Sequence, residues 1–257
     1  QKVAFFKAHP QIRFSNFGTR RACCRDFLHY VDATFKRELS ANQFLGTSCL
    51  LSAMENDLAP VGTVSHQPFI VAQAIAEQTR EGLIASQRKV LDCLEAEFGP
   101  ALGIFLPDTF TTDFFMNHVL TEDRARRWRG YRTDSEDPVI SGRRWHAYYT
   151  THGIDPKTKL GIPSDSLNSD LVARVDREVG SLIPQSYGIG TFLTDDSSIS
   201  CPLSIVIKPK RANGFECVKI SDEPMKAMGH PDAVARVKGL IGYRSNRYEA
   251  HPENLRS

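Results

Sequence analysis

The alternation of short apolar runs with amphipathic segments constrains this chain more than any other feature. Phe27, Val31, Phe35 and Leu39 recur every four residues, which predicts a helix over 22–40. A short strand is expected at 60–63 and a helix at 68–78. Val90, Leu91, Leu94 and Phe98 mark a further helix, closed by Gly99-Pro100. Residues 102–106 have the length and composition of a buried strand, and Asp108 and Thr109 offer capping oxygens before a 110–119 segment. Strand candidates at 129–133, 160–163 and 186–190 alternate with helices opening at Asp137-Pro138 and covering 167–179. Strands alternating with helices imply a parallel sheet covered by helices, and about six such units favour a closed α/β barrel over an open sheet.

The periodicity changes near residue 202. Stretches 203–209 and 215–221 alternate or run apolar around Asn213-Gly214, a strong hairpin-turn signal because both residues tolerate positive φ. An antiparallel hairpin does not belong to a barrel of βα units. The expected organisation is therefore an α/β barrel over 1–200, and a hairpin, terminal helix and polar tail over 201–257 that belong to an incomplete second small domain. A lone two-stranded hairpin is marginally stable. Its partner strands are expected on a part of the polypeptide preceding Gln1, where the chain opens without an initiator Met or a signal-peptide pattern.

A net charge of +2 argues against a general nucleic-acid coat, so any anion site must arise from local clusters of Arg and Lys. No apolar run approaches the roughly 20 residues that span a bilayer. Cysteines 23, 24, 49, 93, 201 and 217 include no CxxC pair, which leaves zinc-site spacing absent and favours reduced thiols in a cytosolic protein over disulfides.

Several polar motifs sit where strands run into helices, the end of an α/β barrel at which ligands bind. Phe17-Gly18-Thr19-Arg20-Arg21 can cradle an anion between turn N–H groups and guanidinium forks, or open a solvated basic helix. His66, after Gly62-Thr63, reads by itself as structural or exposed more readily than catalytic. Arg132 and Asp134 alternate and so share a strand face, either in an ion-pair network or orienting a ribose and a metal. Ser164-Asp165-Ser166-Leu167 reads as a ligand loop or a helix cap. The glycines of Gly188-Ile189-Gly190-Thr191 would let backbone approach a phosphate.

In order, the chain carries FGTRR (17–21), LGTS (45–48), GTVSHQ (62–67), LPDTF (106–110), RTDSEDP (132–138), SDSL (164–167) and GIGT (188–191). This succession resembles the nicotinate phosphoribosyltransferase family, whose members carry FGTRR, LGTS, GTxxHE, LTDTF, RxDSGDP, SDSL and GIGT. PLSIVIK (202–208) and VKISDEPMK (218–226) resemble the family's C-terminal strands, so the likeness runs from about Arg13 to Tyr243. It implies a type II phosphoribosyltransferase fold, an α/β barrel packed on a mixed domain built from both chain ends. It implies conversion of nicotinate and phosphoribosyl pyrophosphate to nicotinate mononucleotide and pyrophosphate, coupled to ATP hydrolysis, in NAD biosynthesis. Mg²⁺ would be the cofactor, with no metal ligand assigned, and ATP a co-substrate. The resemblance also implies a cytoplasmic homodimer, with the nucleus as a second compartment, and neither nucleic acid nor membrane as partner.

By the same resemblance His66, matching the histidine that ATP phosphorylates, Asp134 and Asp165 are the expected catalytic residues. Arg20, Arg132, Asp134 and Asp165 fall on positions that hold the phosphoribosyl donor or the pyridine ring. Phe17 falls on the aromatic face for that ring, and Gly190 and Thr191 on the loop for the product's phosphate. Arg21, Asp108, Gly188 and Lys208 complete the expected substrate-binding set with Ser48, which stands where nicotinamide-using relatives carry an Asp. Nicotinate is an anion, so Arg132 suits its carboxylate.

The sequence departs from the family pattern at the motifs. Gln67 replaces a Glu after the histidine and Pro68 an aromatic; Glu136 replaces a glycine, adding bulk and charge to a turn expected to face phosphates. Phe192 and Asp195 replace two Asn, and Ala22 the third Arg. A carboxylate beside an imidazole raises its basicity and fixes its tautomer, whereas the Gln67 amide does only the second. The family's N-terminal region, part of the small domain and source of an aromatic reaching the neighbouring subunit's site, has no counterpart here. These departures leave two other readings: a repurposed transferase acting on another aromatic acid, and a catalytically dead paralogue or fragment.

Overall fold

A computed structural model describes residues 1–196 and 205–243. Eight strands are defined: β1 (Phe14–Asn16), β2 (Phe44–Thr47), β3 (Ile104–Phe105), β4 (Gly130–Thr133), β5 (Leu160–Pro163), β6 (Tyr187–Ile189), β7 (Arg211–Ala212) and β8 (Phe215–Glu216). The chain divides into two compact units, Gln1–Val64 with Trp128–Ile207, and Ser65–Arg127 with Lys208 onward. The boundary expected at 200/201 and the tail expected after Tyr243 lie outside the described residues.

In the first unit β1 lies between β2 and β6, and β4 pairs with β5, all in parallel. Bridges Gly161↔Gln185 and Thr47↔Pro60 extend the run, giving the parallel order Pro60–β2–β1–β6–β5–β4. The strand expected at 60–63 is reduced to that one bridge. Gly46 makes the bridge possible: its φ is +137°, and a Cβ there would lie 2.1 Å from the Ala59 carbonyl oxygen.

Helices cover one face of this run. Helix Arg25–Glu38 buries Leu28, Val31, Asp32 and Phe35, so Val31 and Phe35 lie inward as expected while Phe27 is exposed and Leu28 takes its place. Phe14 of β1 stacks on Phe6 with ring centroids 3.7 Å apart, and Phe35 meets Phe14 edge-on at 5.3 Å. Val139, Val172, Val175 and Val179 from helices Pro138–Thr151 and Ser169–Val179 join Tyr187 and Ile189 in the same core. Asp137 caps its helix as expected, accepting from the Val139 and Ile140 amides at 2.9 and 3.1 Å, with Pro138 in the first turn.

The second unit is built on helices Gln67–Ile75 and Arg80–Phe98, the latter ended by Gly99 at φ 55°. The strand expected over 102–106 is only β3, because 3₁₀ turns at Gly99–Leu102 and Pro107–Phe110 enclose it. The hairpin turns at Asn213-Gly214 as expected, with φ of 49° and 82°, but β7 and β8 pair over two residues each. Residues 203 and 204 lie outside the described set, and 205–209 are irregular. Cys217 packs with Ile70 and Ala74, and the Val218 amide donates to Gln73 Oε1 at 3.1 Å, which docks the hairpin on the first helix. Among the described residues no helix is long and apolar enough to cross a membrane.

Candidate active site

Because the strands of the first unit run parallel, their C-terminal ends share one edge, and the motifs follow directly from them. Phe17 leaves β1, Ser48 leaves β2, Asp134 leaves β4, Asp165 follows β5 and Gly190 follows β6. Arg132, on β4, is the hub. Its Nε donates to Ser164 Oγ at 2.6 Å, Nη1 donates to Thr63 Oγ1 at 3.0 Å, and Nη2 pairs with Asp134 Oδ1. The guanidinium carbon lies 5.9 Å from the Phe17 ring centroid. That ring rests on Gly188, where a Cβ would lie 2.6 Å from Cδ2 and Cε2.

Arg20, at the exposed rim, has a pKa below the usual arginine value. Partial burial and the adjacent Arg21 push it down, Arg132 adds to this, and Asp134 and Asp165 oppose it. Three arginines and two carboxylates thus share one electrostatic neighbourhood, with Gly190 beside it, where a Cβ would lie 3.5 Å from the Phe17 carbonyl oxygen and 3.8 Å from Arg21 Cγ. Ser48 Oγ hydrogen-bonds Thr19 Oγ1 at 2.7 Å and the Ser48 amide donates to the Asn16 carbonyl at 2.8 Å, tying the second motif to the first.

A buried trio missed from the sequence supports this edge. Asp32 accepts from Asn16 Nδ2 at 2.7 Å and Ser52 Oγ at 2.6 Å, and Asn16 Oδ1 accepts the Gly18 amide at 2.8 Å. The available signal was an acid at the i+4 position from Leu28 on the helix's buried face. Thr63 and Ser164, both inside quoted motifs, were also missed as ligands of Arg132. The helix-cap reading of 164–167 does not hold: Asn168 caps the next helix, its Oδ1 accepting the Leu171 amide at 2.9 Å.

His66 and Asp108 lie in the second unit. His66 is buried, with Nδ1 2.9 Å from Thr109 Oγ1 and Nε2 3.8 Å from Asp108 Oδ1. Asp108 Oδ2 in turn faces Lys219 Nζ at 3.4 Å, both side chains 3% exposed. Gln67 therefore does not leave the imidazole without a carboxylate neighbour, because Asp108 supplies one. Thr111, three residues on, holds a φ of 73°, a costly conformation for a β-branched residue close to this cluster. Lys208 is half-buried in the irregular 205–209 stretch.

The family model for nicotinate phosphoribosyltransferases matches residues 12–243. The chain belongs to the nicotinate phosphoribosyltransferase family. The crystal structure of the Porphyromonas gingivalis nicotinate phosphoribosyltransferase superposes with a TM-score of 0.85 at 29% identity, covering 94% of this chain and 62% of that one. The Vibrio cholerae nicotinate phosphoribosyltransferase gives 0.84 at 33% identity, covering 95% and 59%. The chain therefore spans about three fifths of the length of these relatives. Its departures from the family pattern fall on side chains with local partners. Phe192 packs against the core of the first unit and lies under Lys2 Nζ, 5.2 Å from its ring centroid. The Glu136 carboxylate is not turned to the strand-end edge; its Oε1 lies 2.6 Å from Arg144 Nη1, on the covering helix Pro138–Thr151.

Proposed function

We propose that this chain carries the phosphoribosyl-transfer site of a nicotinate phosphoribosyltransferase, joining nicotinate to phosphoribosyl pyrophosphate with release of pyrophosphate. The observation that carries the reading is the pairing of a fixed guanidinium with an aromatic face: Arg132 is braced by Ser164, Thr63 and Asp134 beside a Phe17 ring seated on Gly188. Both Nη atoms of Arg132 keep an N–H beyond those bonds, which suits a flat aromatic carboxylate. The departing pyrophosphate and the positive charge developing on the ribose ask for cations and carboxylates in one place, and Arg20, Arg21, Asp134 and Asp165 meet that need. Asp134 and Asp165, hard oxygen donors that both act on Arg20, are the residues that would hold Mg²⁺, which would neutralise charge on the pyrophosphate. His66, held by Thr109 and facing Asp108, is the residue ATP coupling would use.

The parallel run of the first unit is read as the wall of an α/β barrel. The Arg132–Thr63 hydrogen bond supports this, since it joins residues of its two outermost segments. A cytoplasmic homodimer remains the proposed assembly.

The test is product formation from labelled nicotinate and phosphoribosyl pyrophosphate in the natural full-length protein, with Arg132→Ala in parallel. Nicotinate should bind better than nicotinamide. Arg132→Ala should remove most of that preference, a loss of about 2–5 kcal/mol for a desolvated charged pair. Equal affinity for acid and amide, with no mononucleotide formed, would leave the repurposed or inactive readings in its place.

A further inference from the structure

The 133–137 loop carries three acids within four residues, and each has its own arginine. Asp134 pairs with Arg132 on the strand-end side. Glu136 pairs with Arg144 at 2.6 Å, and Asp137 with Arg174 at 3.2 Å, both arginines standing on the covering helices. Asp137 is further committed as the cap of its helix. The Glu136 side chain is 12% exposed, so its carboxylate is largely out of water and depends on its partner. It lies on the helix side of β4, beside Tyr131: burial first, and then Glu136, raises the Tyr131 phenol above its usual pKa, while Gln185 opposes the shift. Tyr131 stacks on Trp145, the residue next to Arg144, with centroids 4.7 Å apart and planes 11° from parallel. Arg144 is therefore adjacent to a residue packed directly on β4.

We propose that Arg144 is a positioning residue for the site. By holding Glu136 on the helix side it fixes the loop, leaves Asp134 as the loop's one carboxylate paired to Arg132, and keeps an extra negative charge away from an anionic phosphoribosyl donor. The proposal rests on the reading of the site as a phosphoribosyl-transfer site. Lost from Arg144, the Glu136 carboxylate has two outcomes, both adverse. It stays buried without its counter-charge, or it swings out beside Asp134 and opposes phosphate binding.

The experiment is a double-mutant cycle on Arg144→Leu and Glu136→Gln, with Arg144→Lys as the conservative control. Two quantities are read: the thermal midpoint of unfolding, and calorimetric affinity for phosphoribosyl pyrophosphate in the presence of Mg²⁺. Arg144→Leu should lower the midpoint. It should also weaken donor affinity roughly tenfold, the scale of one unmatched charge about 12 Å from the phosphates at an effective dielectric of about 20. Adding Glu136→Gln should recover most of both losses, and Arg144→Lys should keep most of the affinity. A purely structural ion pair would show coupling in the midpoint but leave donor affinity unchanged. Additive effects in the cycle, or unchanged donor affinity in Arg144→Leu, would overturn the proposal. A parent protein that binds no donor at all would instead sink the phosphoribosyl-transfer reading. The midpoint cycle would still decide the pair, since coupling there needs no ligand.

Discussion

Asp32→Ala is the substitution that most directly tests how the first motif is held. Asp32, Asn16 and Ser52 are fully buried, and the carboxylate accepts one hydrogen bond from each of the other two, at 2.7 and 2.6 Å. Hydrogen bonds to a charged acceptor contribute about 1.5–3 kcal/mol each, so losing both should cost about 3–6 kcal/mol. At about 2–4 °C per kcal/mol for a chain of this size, the midpoint should fall by roughly 6–24 °C. Asp32→Asn keeps one oxygen for Asn16, and its new N–H can meet a rotated Ser52 hydroxyl, so its cost should be only about 1 kcal/mol. The functional arm follows from Asn16 Oδ1, which holds the Gly18 amide. With Asn16 unanchored, the turn carrying Phe17 and Arg20 loses a fixed acceptor, and nicotinate affinity should fall further in the Ala variant than in the Asn variant. The assay is circular-dichroism melting with and without nicotinate, followed by calorimetry below the midpoint. An Asp32→Ala protein melting within about 2 °C of the parent would refute the reasoning.

Gly188→Ala places a Cβ 2.6 Å from the Phe17 ring, so the ring must move. Overpacking of this kind costs about 1–3 kcal/mol, and nicotinate affinity should drop while the fold survives, as calorimetry and melting would show together. Lys219→Met leaves Asp108 buried without its cation. Urea unfolding should show a loss of about 3 kcal/mol, the low end for a broken buried pair, and an unchanged midpoint would mean that Asp108 draws its support elsewhere. His118, 2.8 Å from Arg80 Nη2, is held below the usual histidine pKa by burial and then by that guanidinium. The unfolded chain then takes up the proton more readily, so this contribution is complete above about pH 6.5 and is lost as pH falls through the folded pKa. Melting from pH 7.5 downward should steepen below that point in the parent and less so in His118→Gln; identical profiles would remove His118 from the account.

What could be read from the sequence followed from local rules. Helices Arg25–Glu38, Pro138–Thr151 and Ser169–Val179, the Asp137 cap and the Asn213-Gly214 turn all rest on periodicity or on residue-specific backbone preferences, which act within a few residues. Strand lengths were legible only as upper limits. β3 and β8 were expected to be longer, because an apolar run marks burial and cannot say where ladder pairing stops. At the site, the ordered motifs named most of the residues that the first unit gathers. They could not name Asp32 or Ser52, whose roles arise from a contact between two helices that no motif spacing encodes. Nor could they show which way Glu136 turns, since Arg144 is eight residues away and its meaning depends on helix phase.

The same reasoning changes how the departures from the family pattern bear on chemistry. Counted as letters, Gln67, Glu136 and Phe192 all stand at motifs and all suggest a failing site. In three dimensions, two of them are turned away from the strand-end edge: Phe192 contributes to the apolar core and Glu136 is matched by Arg144. Gln67 is the one that adjoins His66, the residue proposed for ATP coupling. Asp108 Oδ1 faces Nε2 at 3.8 Å, too long for a hydrogen bond. Lys219 draws on the other oxygen of the same carboxylate at 3.4 Å. A carboxylate at position 67 would add a negative charge beside His66, whereas the amide does not. The effect of Gln67 is therefore expected in the readiness of His66 to accept a phosphoryl group. In the first unit, Arg132 is braced by Ser164 and Asp134, and Asp134 and Asp165 act on Arg20. On the proposed reading, impaired ATP coupling at His66 is expected to leave uncoupled phosphoribosyl transfer measurable.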